Sequence, residues 1–211
     1  MKTKLTIAVL LLGAASLASA APAIDVSPGF LLGLNLAKVG GQTTVNGVRP
    51  GLSFGGFCNF ALNNVLSFEP ELYFTQKGAQ TSVDIPGGMV TTSINLSYIE
   101  IPLLLKIAIP LGEDYIIHPR IFGGGTVAYS LSAKLMNRYE DYGGSSDQTG
   151  NFVNMKKWET GFIAGVGADF DVKGGVFSAD IRYLWSQGSI TSDLPAKKNH
   201  VITIMLGFAF K

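Results

Sequence analysis

The sequence predicts an all-β fold, an eight-stranded antiparallel up-and-down transmembrane β-barrel. Three observations carry this. Apolar residues recur at every second position over segments of about ten residues, the period of a strand with unlike faces. Beyond the first twenty residues no apolar run reaches the ~20 residues of a membrane helix, although 47% of the chain is hydrophobic. Connections alternate between short turns and long polar segments, as in barrels whose turns and loops lie on opposite sides of a membrane.

The chain opens with Lys2 and Lys4, an apolar run from Leu5 to Leu12, and small residues ending Ala18-Ser19-Ala20. That order is a secretory signal peptide. Residues 1–20 are therefore read as removed on export and 21–211 as one barrel domain. No cysteine follows the expected cleavage point, which argues against a lipid anchor. The single Cys58 excludes an internal disulfide. A formal net charge of +1 leaves no footprint for nucleic acid.

The first strand sets Phe30, Leu32, Leu34 and Leu36 against Gly33, Asn35 and Ala37. The second sets Leu52, Phe54, Cys58 and Phe60 against Ser53, Gly55 and Asn59. The third sets Leu66, Phe68, Leu72 and Phe74 against Ser67, Glu69, Glu71 and Thr75. The fourth, YIEIPLLLKIAIP, runs Ile99, Ile101, Leu103, Leu105, Ile107 and Ile109 on one face and places Glu100 and Lys106 on the other. In the fifth, Tyr115, Ile117, Ile121, Val127 and Tyr129 alternate with His118, Arg120, Thr126 and Ser130. In the sixth, Trp158, Phe162, Val166 and Phe170 alternate with Glu159, Gly161, Gly165 and Asp169. The seventh pairs Phe177, Ile181, Tyr183 and Trp185 with Ser178, Asp180, Arg182 and Ser186; the last pairs Ile202, Ile204, Leu206, Phe208 and Phe210 with Thr203, Gly207 and Ala209. Pro70 and Pro102 each remove a ladder donor and predict local bulges. Short turns fall near residues 62–64, 111–114 and 172–175; long polar loops are read at 40–50, 76–93, 133–157 and 187–199.

Period two does not say which face points outward, and a soluble eight-stranded barrel with its apolar face inside is the competing reading. Two features favour apolar outside. The polar face carries carboxylates, cations and glycines together. The aromatics of the apolar face cluster near strand ends: Phe60, Phe68, Tyr115, Phe170, Phe177 and Phe210 by the short turns, and Tyr129, Trp158 and Trp185 by the long loops. Two such girdles belong where headgroups meet water.

"EPELYFTQKG" (69–78) followed by "YIEIPLLLKI" (98–107) resembles the outer-membrane β-barrel domain of PorT-like, porin-family proteins of Gram-negative bacteria. The ending "LGFAFK" (206–211) is similar to the C-terminal signal read by the barrel-assembly machinery, departing from it in that Lys211 follows the aromatic Phe210. The resemblance implies an outer-membrane location, insertion through the C-terminal strand, and no catalytic residues or cofactor.

The inward charges Glu69, Glu71, Glu100, Lys106, His118, Arg120, Glu159, Asp169, Asp180 and Arg182 are read as one lumen ion-pair network. An eight-stranded barrel is only wide enough for its own side chains, and buried charges must be paired. The expected role is therefore structural or partner-binding, with the barrel in the lipid bilayer and lipopolysaccharide or a protein met at loops 76–93 and 133–157. The alternative is a narrow porin-like channel. His200 is read as a loop histidine. Glu140, Asp141 and Asp147 are read as solvated rather than metal-binding, and no nucleophile–base motif occurs.

Overall fold

The structure is a computed structural model that describes residues 25–40, 47–111, 116–141, 144–151, 156–190, 192 and 198–211. The expected signal peptide and Tyr115 lie outside the described residues. The strands are β1 (Asp25–Gly40), β2 (Arg49–Ala61), β3 (Leu66–Ile85), β4 (Gly88–Ala108), β5 (Ile117–Asp141), β6 (Gly144–Asn151), β7 (Trp158–Val172), β8 (Gly175–Ser186) and β9 (Lys198–Phe210). All are joined antiparallel. Eight of them close a ring in which β1 pairs with β9 and β4 pairs with β5. Closure leaves no sheet edge within the ring, the only form in which strands can cross lipid.

The alternation does what the sequence reading assigns to it. Leu32, Leu34, Phe54, Leu72, Leu103, Val166, Ile181 and Ile204 are all exposed on the outer surface. Their opposite-phase neighbours Asn35, Ser53, Glu71, Glu100, Arg120 and Arg182 are buried inside. An exposed hydrocarbon sleeve around a buried charged interior is stable only in an apolar solvent, so the orientation is that of a membrane barrel.

Two segments read as loops are strands instead. Residues 76–85 and 88–97 continue β3 and β4 as one hairpin, paired from Gln76↔Ser97 to Ile85↔Gly88; its root, with Lys77, Ala79, Ile94 and Leu96 buried, belongs to the barrel, and its outer part projects past the ring. Its tip is Pro86-Gly87, with Gly87 at φ +92°, the conformation that glycine takes in a type II turn. Likewise β5 continues to Asp141 and turns back as β6, paired from Lys134↔Asn151 to Asp141↔Gly144. Thus β6 is a ninth strand, outside the ring, joined to β5 above the level where β7 leaves it. The four strand ends β3, β4, β5 and β6 form a sheet that stands clear of the barrel rim. Apolar/polar alternation reports a buried face, not a strand as such. The outer part of this sheet, residues 82–85 and 144–150, is exposed, so it lacks the signal. A bulge between Ser97 and Tyr98, opposite Leu131, shifts the β4–β5 register near the loop end of the barrel.

Candidate functional site

The barrel interior is built in layers, ordered here from the short-turn end. Lowest is a group around Glu69, whose carboxylate is ion-paired with Lys106 and accepts a bond from Asn59 Nδ2 at 2.9 Å. Next comes an Arg-carboxylate chain. Arg182 donates to both oxygens of Glu71 at 2.9 and 2.7 Å and to Asp180 at 2.8 Å. Arg120 donates to Asp180 at 2.6 Å and is ion-paired with Asp169. Leu31, Phe57, Tyr73 and Met205 pack beside this chain. The Phe122 ring lies between two cations, with Arg182 Cζ 5.3 Å and Lys106 Nζ 5.9 Å from its centroid.

The middle of the barrel holds an uncharged hub. Asn35 Nδ2 donates to Ser53, Thr75 and the Gln76 carbonyl at 2.8–2.9 Å, and Asn35 Oδ1 accepts from Thr203 at 2.8 Å. Apolar residues Leu104, Phe122, Ile163, Leu184 and Val201 fill the rest of that cross-section. Above it lies a second charged group. Lys77 Nζ is 2.7 Å from Glu100 and 3.8 Å from Glu159; Thr126 donates to Glu100 and Asn199 to Glu159. The loop end is capped by Val39, Leu96, Tyr98, Ala128 and Ile190. Ile190 reaches this cap from the last connection, tied there by Lys156 N donating to its carbonyl at 2.9 Å.

The interior glycines belong to this packing. A Cβ at Gly165 would overlap the Phe122 ring, and one at Gly167 would overlap the Asp180 carboxylate. Bulk on one wall is matched by its absence on the facing wall. A void of about 10 Å³ remains between the two charged groups, near Thr75, Lys77 and Arg182. That is at the threshold for a single water.

The structure therefore divides the anticipated single network into two. Glu100 and Glu159 meet in the upper group; Glu69, Glu71, Lys106, Arg120, Asp169, Asp180 and Arg182 meet in the lower. His118 joins neither. It sits at the mouth, 39% exposed, 3.2 Å from Asp171, whose other oxygen is 2.5 Å from Lys211 Nζ. The second residue of β5 is too near the turn to reach the lumen. Sequence reading missed Lys77, Asn199 and Asp171, and it put Asn35 on the inner face without a role. Lys77 continues the inward phase of Glu69, Glu71, Tyr73 and Thr75, so the signal was present but sat in a stretch read as loop. His200, read as a loop residue, lies on β9 with its Nδ1 2.9 Å from Tyr183 Oη on the outer surface.

The aromatic positions form cross-strand pairs on that surface. Phe60–Phe68 (6.4 Å) and Phe170–Phe177 (6.1 Å) lie at the turn end, with Phe210 6.1 Å from Phe30. Tyr129–Trp158 (4.9 Å) lies at the loop end, where Trp185 is opposite His200. In the free sheet, Arg138 grips Asp147 with two bonds, at 2.8 and 3.1 Å. This bond holds the Asp147 carboxyl below its ordinary range. No group of three or more metal-ligating residues occurs among the described residues.

A family model described as an outer membrane protein beta-barrel domain matches residues 18–192. No curated protein matches. Among solved structures, Neisserial surface protein A is 14% identical, with 89% of this chain and 99% of that chain covered and a TM-score of 0.47. OprG of Pseudomonas aeruginosa is 14% identical over 88% of this chain and 94% of that one, TM-score 0.47. Ail, the attachment invasion locus protein of Yersinia pestis, is 14% identical over 88% and 99%, TM-score 0.41.

Proposed function

Since the chain belongs to the outer-membrane β-barrel domain family, we propose that it is a non-enzymatic, closed-lumen anchor whose projecting sheet receives an extended strand of a protein outside the cell. The observation that carries this is the free sheet itself. β5 is paired with β4 from Arg120 to Asp141 apart from the bulge at Leu131, and on its other side with β7 up to Tyr129 and with β6 from Lys134. The outer edge of β6 has no strand partner among the described residues. Its sequence, GSSDQTGN, has no proline and a single charge, and residues 144–150 are exposed. Such an edge offers main-chain donors and acceptors to an incoming strand with little steric obstruction. The charge that it does carry, Asp147, is held by Arg138 of β5.

The channel alternative has less support, because the interior charges are matched to partners and apolar layers separate them. The anchor reading is tested on nanodisc-embedded protein by scanning surface proteins for ones that protect the β6 amides from hydrogen exchange. Binding is expected to vanish when Ser146 and Gln148 are replaced by proline, with the barrel still folded. Undiminished binding by that variant would refute strand capture.

A further inference from the structure

The turn end of the lumen opens into a cavity of about 210 Å³ that the strand-capture reading leaves unused. Its polar wall holds Lys106, Arg120, Glu69 and Asp169, with Ser27, Ser67 and Ser178. Its apolar wall is Phe57, Val65, Leu66 and Val176. The carboxamides of Asn63 and Asn64 stand at its entrance turn, where Asn63 Oδ1 accepts from the Val65 and Leu66 amides at 2.8 Å.

Three features limit what fits. The volume is equivalent to about seven waters and below the ~300 Å³ of a drug-sized site, so the occupant is on the scale of an amino acid. Two cations face two carboxylates, so a ligand with net charge of either sign meets as much repulsion as attraction. The polar wall also has capacity left over. Arg120 is 4% exposed, yet its Nε–H has no hydrogen-bond acceptor among the described residues. Asp169, 31% exposed, is the most accessible of the carboxylates there. A buried donor without an acceptor is costly, and a ligand carboxylate would supply the acceptor while its ammonium met Asp169.

We infer that this cavity binds a small zwitterion, a free amino acid with an apolar side chain or a dipeptide of that kind, drawn from the compartment that the short turns face. The ligand's carboxylate lies toward Arg120 and Lys106, its ammonium toward Asp169, and its side chain against Phe57 and Val176. The site is at the opposite end of the barrel from β6, so it stands whether or not strand capture does.

The experiment titrates nanodisc-embedded full chain with L-leucine and follows the backbone amide resonances of Asn63, Asn64 and Ser178. Isovalerate (the carboxylate alone), isoamylamine (the ammonium alone) and glucose serve as comparison probes. Saturable shifts with leucine are expected, with each comparison probe and the Asp169→Asn protein weaker by about tenfold or more. Ser178→Leu fills the cavity and is expected to abolish the shifts. If that variant does not fold, Ser27→Leu fills the same space from the half-exposed end of β1. Absence of saturable shifts, binding of isoamylamine, isovalerate or glucose as tight as leucine, or an unaffected Asp169→Asn protein would each overturn the assignment.

Discussion

Lys77 serves two carboxylates with one ammonium, and its loss tests whether the upper group holds the barrel together. Lys77→Met leaves Glu100 and Glu159 buried without a cation, and breaking a buried pair in this way costs about 3–5 kcal/mol. Guanidinium unfolding of lipid-reconstituted protein should show that loss. Adding Glu100→Gln and Glu159→Gln should recover most of it, because the penalty comes from the stranded charge. Gly167 gives the steric counterpart. Gly167→Ala pushes a methyl into the Asp180 carboxylate and with it both arginines, a strain of about 1–3 kcal/mol read by the same assay. These residues differ in how plainly the sequence announced them. Glu71, Arg120 and Arg182 were legible because a charge in phase with glycine and serine marks the inner face. Phe57, Tyr73 and Phe122 were not, since an apolar side chain on the polar face looks like an irregularity until its facing glycine is known. Asp171 was hidden by its position at the end of β7, and only the fold brings it to His118 and Lys211.

The strand elements divide the same way. Each strand of the ring was recoverable, because one face in lipid and one in the lumen is the strongest period-two signal available. The hairpin beyond the rim and β6 had no such contrast to announce them. Their β-formers, Thr81 and Val83 facing Thr92 and Val90, were outvoted by polarity. Being held by ladder bonds and one exposed ion pair, β6 should also be the part that acid loosens first. The Asp147 carboxyl is depressed in the folded hairpin by Arg138. Its contribution is therefore present above the unfolded carboxyl value and is lost as pH falls through the depressed one. Hydrogen exchange at about pH 5 and about pH 2 should show β6 amides losing protection while the Leu103 and Ile204 amides keep theirs. Arg138→Ala should remove the pH difference. Pro70 marks another weak element. The β2–β3 ladder runs from Ser53↔Thr75 to Phe57↔Glu71 and resumes only at Phe60↔Phe68, while the β1–β2 ladder is unbroken there, so whichever of amides 58 and 59 points toward β3 should exchange faster than its neighbours.

For the molecule as a whole, the stacking of charged, uncharged and apolar cross-sections predicts an electrically silent barrel. Planar-bilayer recordings of the wild type should show no discrete conductance. Ile190→Gly together with Leu104→Gly removes the cap and the mid-barrel filler and is the combination in which current should first appear. Current through the wild type at the same protein density would favour the channel reading. The Asn35 hub has a consequence for assembly. Its four bonds join the earliest ring strand to its neighbours and to the final one, across the seam where the cylinder is sealed. Were β9 to arrive one residue out of step, Ile202 or Ile204 would face that carboxamide; two residues out, Val201 or Met205 would, and none of these can donate to it. A single amide in the wall thus proofreads the closing of the whole tube.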